Sequence, residues 1–392
     1  NFNYMDMLRR LIFVFWWAAC CLSCSSSKQW IDKASHELAA DSLLQSAHVG
    51  ICLYEPETKS YWLRQQSHQY FIPASNVKLF SLYAALHSLP DSVETFRYLV
   101  RDSVIYLKPS ADPSFLHPDF ADQPALTFLQ SFKRLYIVRS SLTQPALYGE
   151  GWMIQDITAA NAEPRTAFPV KANREGFWSE GDKNLLLGHD DGSVNAKQLQ
   201  VYARVPVMTI DYDIPGDWKP FYSRPLDAVL VPMMHESDNF MAEQVLLMSA
   251  YHRLGRMDDR AMMDSLLSNP LSGLPQKPRW ADASGLSRYN LFTPESMVWL
   301  LNEMQVKFGA ERMQKLLPTG NQGTLRKLYL SDSGRIFAKT GTLSNNQALS
   351  GYLITQKGKR LTFSVMCNHY PGKPAPIRRK IESFLHGIIN RY

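Results

Sequence analysis

The spacing of hydrophobic and polar positions changes along the chain. Both ends show helix- and strand-like patterns, whereas the middle shows short strand-like pieces between loops. Near the start, residues 30–45 place apolar side chains close to one helical face, which predicts an amphipathic helix. Strand-like runs at 49–54 and 61–64 flank turn residues and predict a hairpin. A proline precedes a long apolar helix predicted over 75–89.

The rest of the chain divides into a turn-rich middle and a helical second half that ends in strands. Helical patterns occupy 226–234, 239–252, 260–267 and 294–304, strands follow at 335–339, 349–355 and 361–367, and a last helix covers 377–389. In the middle, strand-like pieces at 103–107, 136–138 and 199–205 alternate with loops. We therefore expect an α+β fold in which one antiparallel sheet lies between helices and is assembled from both ends, 25–96 and 221–392. Residues 97–220 would form one inserted β-rich domain.

The first 24 residues have the pattern of an export signal. Arg9 and Arg10 precede an apolar run over 11–22, which is too short for a bilayer core that needs about 20 residues. The end of the run resembles a degenerate bacterial lipobox, with Cys24 before a serine tether at 25–27. This favours lipidation at Cys24 and location in the bacterial cell envelope or periplasm. A simple cleaved signal and an uncleaved anchor remain alternatives.

Composition limits the function classes. The 392 residues are 45% hydrophobic and 12% aromatic, which suits large packed cores and excludes a disordered chain. The net charge of +6 comes from scattered basic residues, so nucleic-acid binding is not expected. The histidines are scattered as well, and we expect neither a metal nor another cofactor. Oligomeric state cannot be read from the sequence.

Two cysteines remain after the export signal. Cys52 and Cys367 both lie in strand-like apolar runs, and two are too few for a disulfide framework. Buried free thiols are the simpler interpretation. A single cross-strand bridge would require the two strands to be neighbours.

Three short motifs carry candidate chemistry. In the first, Ser75 stands one helical turn before Lys78, so the two side chains share a face. A serine hydroxyl becomes a good nucleophile when a nearby base takes its proton, and lysine can be that base if its pKa is lowered. Taken alone, this pair occurs by chance in many helices.

The other two motifs are equally common in isolation. Ser237-Asp238-Asn239 offers a hydroxyl and an amide, but it could simply cap a helix. Lys339-Thr340-Gly341-Thr342 ends a strand whose edge could pair with an extended peptide, and Gly341 would allow close approach of that backbone. The order and setting of the three together form the signature of penicillin-recognising serine enzymes.

The residues around these motifs narrow the resemblance. The segments 73–80, 233–243, 282–290 and 338–343, with Gly323-Thr324-Leu325, resemble the type-C low-molecular-mass penicillin-binding proteins. These are D-alanyl-D-alanine carboxypeptidases/endopeptidases of peptidoglycan. Ala283 and Ala111 replace glycines of the family pattern, and the span between the first two motifs accommodates one insert rather than two.

The resemblance implies a β-lactamase/transpeptidase-like domain and a mechanism. Ser75 would attack the penultimate D-alanine carbonyl of a peptidoglycan stem peptide, and Lys78 would accept its proton. Ser237 and Asn239 would assist the leaving group and orient the substrate. Lys339, Thr340, Gly341 and Thr342 would bind the substrate. Lys339 would keep the local field positive, and Thr340 with Lys339 would receive the terminal carboxylate. β-Lactam antibiotics would acylate Ser75.

Three other functions stay open at this stage. A serine β-lactamase of class A would need a deacylating glutamate in an ExxLN segment, which is lacking at 265–280. A non-catalytic peptidoglycan-binding or β-lactam-sensing lipoprotein would keep the fold and lose a catalytic group. An SxxK esterase would generally lack the full set of motifs.

Overall fold

The fold is described from a computed structural model, for residues 29–139, 146–157, 162–174 and 193–392. The predicted signal at 1–24, with Cys24, lies outside these residues. Within the described ranges, no helix combines the length and apolar character needed to span a membrane.

Helices and strands alternate along the described chain in the following order. They are α1 (29–40), β1 (His48–Glu55), β2 (Ser60–Gln65), α2 (Lys78–Ser88), β3 (Ser92–Arg101), β4 (Val104–Pro109), α3 (Pro124–Leu129), β5 (Arg134–Val138), α4 (Ile154–Ile157), α5 (Ser193–Ala203), β6 (Val207–Ile210), β7 (Lys219–Pro225), α6 (Asp227–His235), α7 (Asn239–Leu254), α8 (Asp259–Ser268), α9 (Pro294–Phe308), α10 (Ala310–Leu316), β8 (Ile336–Leu343), β9 (Asn346–Ile354), β10 (Arg360–Asn368) and α11 (Pro374–Arg391).

The first sheet joins the two ends of the chain. Its order is β2-β1-β10-β9-β8, and every neighbouring pair is antiparallel. Side chains alternate between its faces because a strand has a period of two. Val365 and Cys367 pack against α1 and α11, whereas Met366 packs into the core formed with α2, α7 and α9. The predicted α+β fold, with an antiparallel sheet between helices, is confirmed.

The second sheet is mixed rather than antiparallel throughout. Its order is β6-β5-β4-β3-β7, with parallel pairs between β4 and β5 and between β5 and β6. The helices α3 and α5 contribute to the core on one of its faces. β3 begins at Ser92 and β7 ends at Pro225, so these strands extend beyond the expected insert boundaries of 97 and 220.

The strand predicted at 199–205 is wrong. Residues 199–203 belong to the helix α5, which ends at Ala203, and the strand begins only at Val207. Ala196, Leu199 and Ala203 are its buried apolar side chains, and their spacing of three and four residues is the helical period.

The two buried cysteines are free thiols. β1 and β10 are indeed neighbours, but Cys52 lies opposite Ser364 and Cys367 lies opposite Val49. Residues 49 and 52 point to opposite faces of the sheet, so the two thiols are on different sides of it. The alternative of a cross-strand disulfide is therefore wrong.

Candidate active site

Ser75 lies in a tight turn at the start of a helix. Ala74–Val77 form a 3-10 turn that leads into α2, and Ala74 adopts a left-handed φ of 49°. A Cβ on Gly285 would come within 2.1 Å of the Ala74 carbonyl oxygen, and one on Gly341 within 2.4 Å of the Pro73 oxygen. Glycines on two separate segments thus allow the backbone to close around Ser75.

Lys78 is fully buried at the first position of α2. Its Nζ lies 3.2 Å from Ser75 Oγ, 2.6 Å from Asn239 Oδ1 and 2.7 Å from the Ser284 carbonyl oxygen. Burial lowers the pKa of Lys78 to about 8, against the opposing effect of three nearby carboxylates. A neutral amine could donate its two N–H groups to Asn239 and Ser284 and direct its lone pair at the Ser75 hydroxyl, as a general base must.

The loop that offers the Ser284 carbonyl is held by a buried ion pair. Glu243 in α7 accepts N–H bonds from Ala283 and Ser284 at 3.1 and 2.8 Å. Arg165 lies 3.3 Å from Glu243 and also pairs with Asp259. Burial raises the pKa of Glu243 to about 7, with the nearby Asp282 acting in the same direction. Arg165, which lies in the 97–220 segment, therefore supports a loop that belongs to the second half of the chain.

The second motif stands at the start of α7. Asp238 is the helix N-cap, and its carboxylate accepts the Met241 N–H at 2.7 Å. Ser237 precedes it with a left-handed φ of 63°. This backbone bend directs Ser237 towards the strand β8, while Asn239 begins the helix and contacts Lys78.

The third motif occupies β8, which is the edge strand of the first sheet. Lys339 is fully buried, and its Nζ donates to Ser237 Oγ at 2.8 Å and to the Thr340 carbonyl oxygen at 2.9 Å. Its own carbonyl accepts from Asn76 Nδ2 at 2.9 Å, which ties β8 to the turn of Ser75. Burial holds the pKa of Lys339 well below its usual value, and the charge of Lys78 lowers it further.

A cleft of about 270 Å³ is lined by four of the eight predicted site residues and by two that were not predicted as site residues. It is lined by Ser75, Ser237, Thr324, Thr340, Thr342 and Arg378. The basic residues of the last helix read as an exposed face in sequence, but Arg378 is half-buried and lines this cleft. No motif marks Arg378, because its place depends on how α11 packs on the sheet.

All eight motif residues therefore surround one site. Lys78 links Ser75 to Asn239, and Lys339 links Ser237 to Thr340. Thr342 contacts neither lysine among the described hydrogen bonds; it accepts from Arg378 and lies 3.0 Å from Gln347. Chemically, the arrangement is a serine nucleophile beside a buried amine, with hydroxyl and cationic groups on the opposite wall.

Comparisons with known proteins agree with this arrangement. Residues 220–387 match the model of the D-Ala-D-Ala carboxypeptidase 3 (S13) family. A D-alanyl-D-alanine carboxypeptidase of Actinomadura sp. (strain R39) is 33% identical over 238 residues, which is 56% of this chain and 42% of that protein. The chain thus matches less than half of the length of this curated relative.

Solved structures show the same fold over most of the chain. Penicillin binding protein 4 (dacB) from Haemophilus influenzae superposes with a TM-score of 0.73 and 18% identity, over 92% of this chain and 99% of that one. A predatory peptidoglycan endopeptidase from Bdellovibrio bacteriovorus gives a TM-score of 0.58 and 14% identity, over 88% and 93%. With its three motifs around one cleft, the chain is similar to these proteins in fold, and its residues 220–387 match the model of the D-Ala-D-Ala carboxypeptidase 3 (S13) family.

Proposed function

We propose that this protein is a serine D-alanyl-D-alanine carboxypeptidase/endopeptidase that acts on peptidoglycan stem peptides through an acyl-enzyme. The observation that carries the proposal is the Ser75–Lys78 pair, with 3.2 Å between Oγ and Nζ, at the wall of an open cleft. The match of residues 220–387 to the D-Ala-D-Ala carboxypeptidase 3 (S13) model and the similarity to the Actinomadura carboxypeptidase support the choice of a D,D-peptide bond as substrate.

In the proposed reaction, Ser75 Oγ attacks the carbonyl carbon of the penultimate D-alanine while its proton passes to neutral Lys78. The N–H groups of Ser75 and Thr342 would stabilise the oxyanion. Ser237 would deliver a proton to the departing amine, and Asn239 would orient Lys78 and the substrate amide. Thr340 and Gly341 would line the substrate's path along the edge of β8. Water would then release the acyl group and restore Ser75.

The same nucleophile should open the β-lactam ring and form a stable adduct. A structure of the Haemophilus protein, with a TM-score of 0.66 and 17% identity to this chain, is complexed with a β-lactam. None of the described residues that line our cleft is a carboxylate, so it lacks the base that a class A β-lactamase uses for deacylation. This favours a penicillin target over a penicillin-destroying enzyme.

Digestion of purified peptidoglycan followed by mass spectrometry tests the proposal. Loss of one alanine from pentapeptide stems would mark carboxypeptidase action, and conversion of cross-linked dimers to monomers would mark endopeptidase action. Ser75→Ala, the matched control, should give neither product. A folded wild-type protein that bound peptidoglycan but released nothing at any pH would favour the non-catalytic binder instead.

Nitrocefin turnover separates the β-lactamase alternative. A rate above about 10 s⁻¹, typical of enzymes on their own substrates, would reverse our choice. We expect each enzyme molecule to open one nitrocefin ring as Ser75 is acylated, and the acyl-enzyme to persist afterwards.

We also propose export to the cell envelope with a lipid anchor at Cys24, supported by the sequence alone. In cells, wild type should partition into detergent after phase separation. Cys24→Ser should move to the aqueous phase; equal partitioning of both proteins would contradict the anchor.

A further inference from the structure

The strongest unassigned feature of the cleft is the guanidinium of Arg378. It reaches the site from α11, a helix that carries none of the three motifs. Arg378 Nη2 donates to Thr342 Oγ1 at 2.9 Å, and its Nε donates to Gln347 Oε1 at 3.3 Å. Both acceptors are neutral, and among the described residues Arg378 forms no ion pair.

The guanidinium of Arg378 can therefore still bind an anion. A guanidinium presents more N–H donors than these two contacts use, in a planar arrangement that matches a carboxylate. The other lining residues are hydroxyl-bearing, and none is a carboxylate that could neutralise Arg378. Thr324 adds a buried Oγ1 with no hydrogen-bond partner within the described part of the chain.

We propose that Arg378 binds the α-carboxylate of the residue that leaves, and so makes the enzyme specific for peptides that carry a free carboxylate there. The inference rests on the proposed function, because Ser75 and Arg378 line the same cleft. A peptide lying along β8 with its scissile carbonyl at Ser75 carries this carboxylate one residue further on. Thr340 and Thr342 stand on the same wall and would share its oxygens.

A bracing role for Arg378 is the alternative, since its two contacts join neighbouring residues of β8 and β9. Bracing would affect all substrates equally. Binding a carboxylate would instead affect only substrates that have one, which makes substrate preference the discriminating measurement.

The test compares two N-acylated peptides, one ending in D-alanyl-D-alanine and the other in D-alanyl-D-alaninamide. For the wild type, we expect kcat/KM to favour the carboxylate by about 10- to 100-fold, the range for a hydrogen-bonded charge. Arg378→Gln should lose most of that preference, mainly through a raised KM, and should change the amide reaction by less than about threefold. Arg378→Lys should restore part of it, because it returns the charge without the planar fork.

Arg379→Gln is the matched control. Arg379 is the next residue of α11, but it is exposed and pairs with Glu382 outside the cleft. Its loss should leave the preference unchanged. An Arg378→Gln enzyme that keeps the full preference, or loses both reactions equally, would overturn the inference while leaving the proposed function intact. A wild type that neither releases D-alanine nor binds penicillin would instead overturn the function itself.

Discussion

Two fully buried lysines contact residues of one cleft, Lys78 at Ser75 and Lys339 at Ser237, and their surroundings differ. Lys78 has the carboxylates of Asp282, Asp238 and Glu243 near it, which oppose burial and leave its pKa at about 8. Lys339 contacts only neutral oxygens, and burial and the charge of Lys78 both lower its pKa. The neighbouring groups thus give two lysines in one site different pKa values.

This difference in pKa indicates which of the two lysines is suited to act as a general base. A general base works best when its pKa lies near the operating pH, and the carboxylates near Lys78 bring its pKa into that range. Lys339 instead contacts Ser237 from the edge strand β8, where an anion bound nearby would favour its charged form. The charge of Lys78 lowers the pKa of Lys339, whereas Lys339 is not among the groups that shift the pKa of Lys78.

The largest effect should come from removing the base. Lys78→Met keeps a flexible apolar chain in the buried site but cannot accept the Ser75 proton. We expect the second-order rate of acylation by a fluorescent penicillin to fall about 10²- to 10⁴-fold. A fall of less than about threefold would mean that another group activates Ser75.

A smaller effect should follow when the other buried lysine, Lys339, is replaced by methionine. For Lys339→Met, we expect acylation to fall by about tenfold, from lost substrate binding rather than lost proton transfer. The pH dependence sharpens this contrast. In the wild type, acylation should rise with pH through about 8 as Lys78 loses its proton.

In Lys339→Met, the midpoint of that rise should stay near 8, because burial and the three nearby carboxylates set the pKa of Lys78. Stopped-flow acylation rates between pH 6 and 10 would measure both midpoints. A midpoint that moves clearly to higher pH would contradict this and show that a charge on Lys339 also lowers the pKa of Lys78.

The smallest effect on acylation should come from replacing Glu243, which holds the Ser284 loop that contacts Lys78. Glu243→Gln retains an amide oxygen for the Ser284 loop but removes the carboxylate that titrates at about 7. Because the folded-state pKa of Glu243 lies above its usual value, its contribution to stability is present below pH 4.5 and is lost as pH rises through 7. The variant should therefore lose less thermal stability than wild type between pH 5 and 7, by calorimetry, and lose only a few-fold in acylation. Parallel melting curves over that range would contradict the assignment.

The sequence predicted the motif residues that the structure brings together, but not the residues elsewhere in the chain that contact them. Ser75, Ser237 and Lys339 each belong to a short motif that can be recognised from the residue types and spacing in the sequence alone. Arg378 and Arg165 have no such context, because they reach the site through tertiary packing of α11 and of the insert. Ala111 shows the same limit: its left-handed φ of 65° explains the family's glycine at that position, but only the backbone reveals it.

The fold shows the same division. The strands and helices of the first sheet follow clear periods, and their prediction is confirmed. In the insert, the strand expected at 199–205 is wrong because a short apolar stretch fits both periods, and only burial of Ala196 with Leu199 reveals the helix.

One measurement tests the central claim most directly, namely that Ser75 is the acylated nucleophile. The protein is incubated with benzylpenicillin, digested and mapped by tandem mass spectrometry. We predict a single penicilloyl adduct on the peptide that contains Ser75, absent from Ser75→Ala. An adduct on another residue, or unchanged labelling of Ser75→Ala, would contradict the account.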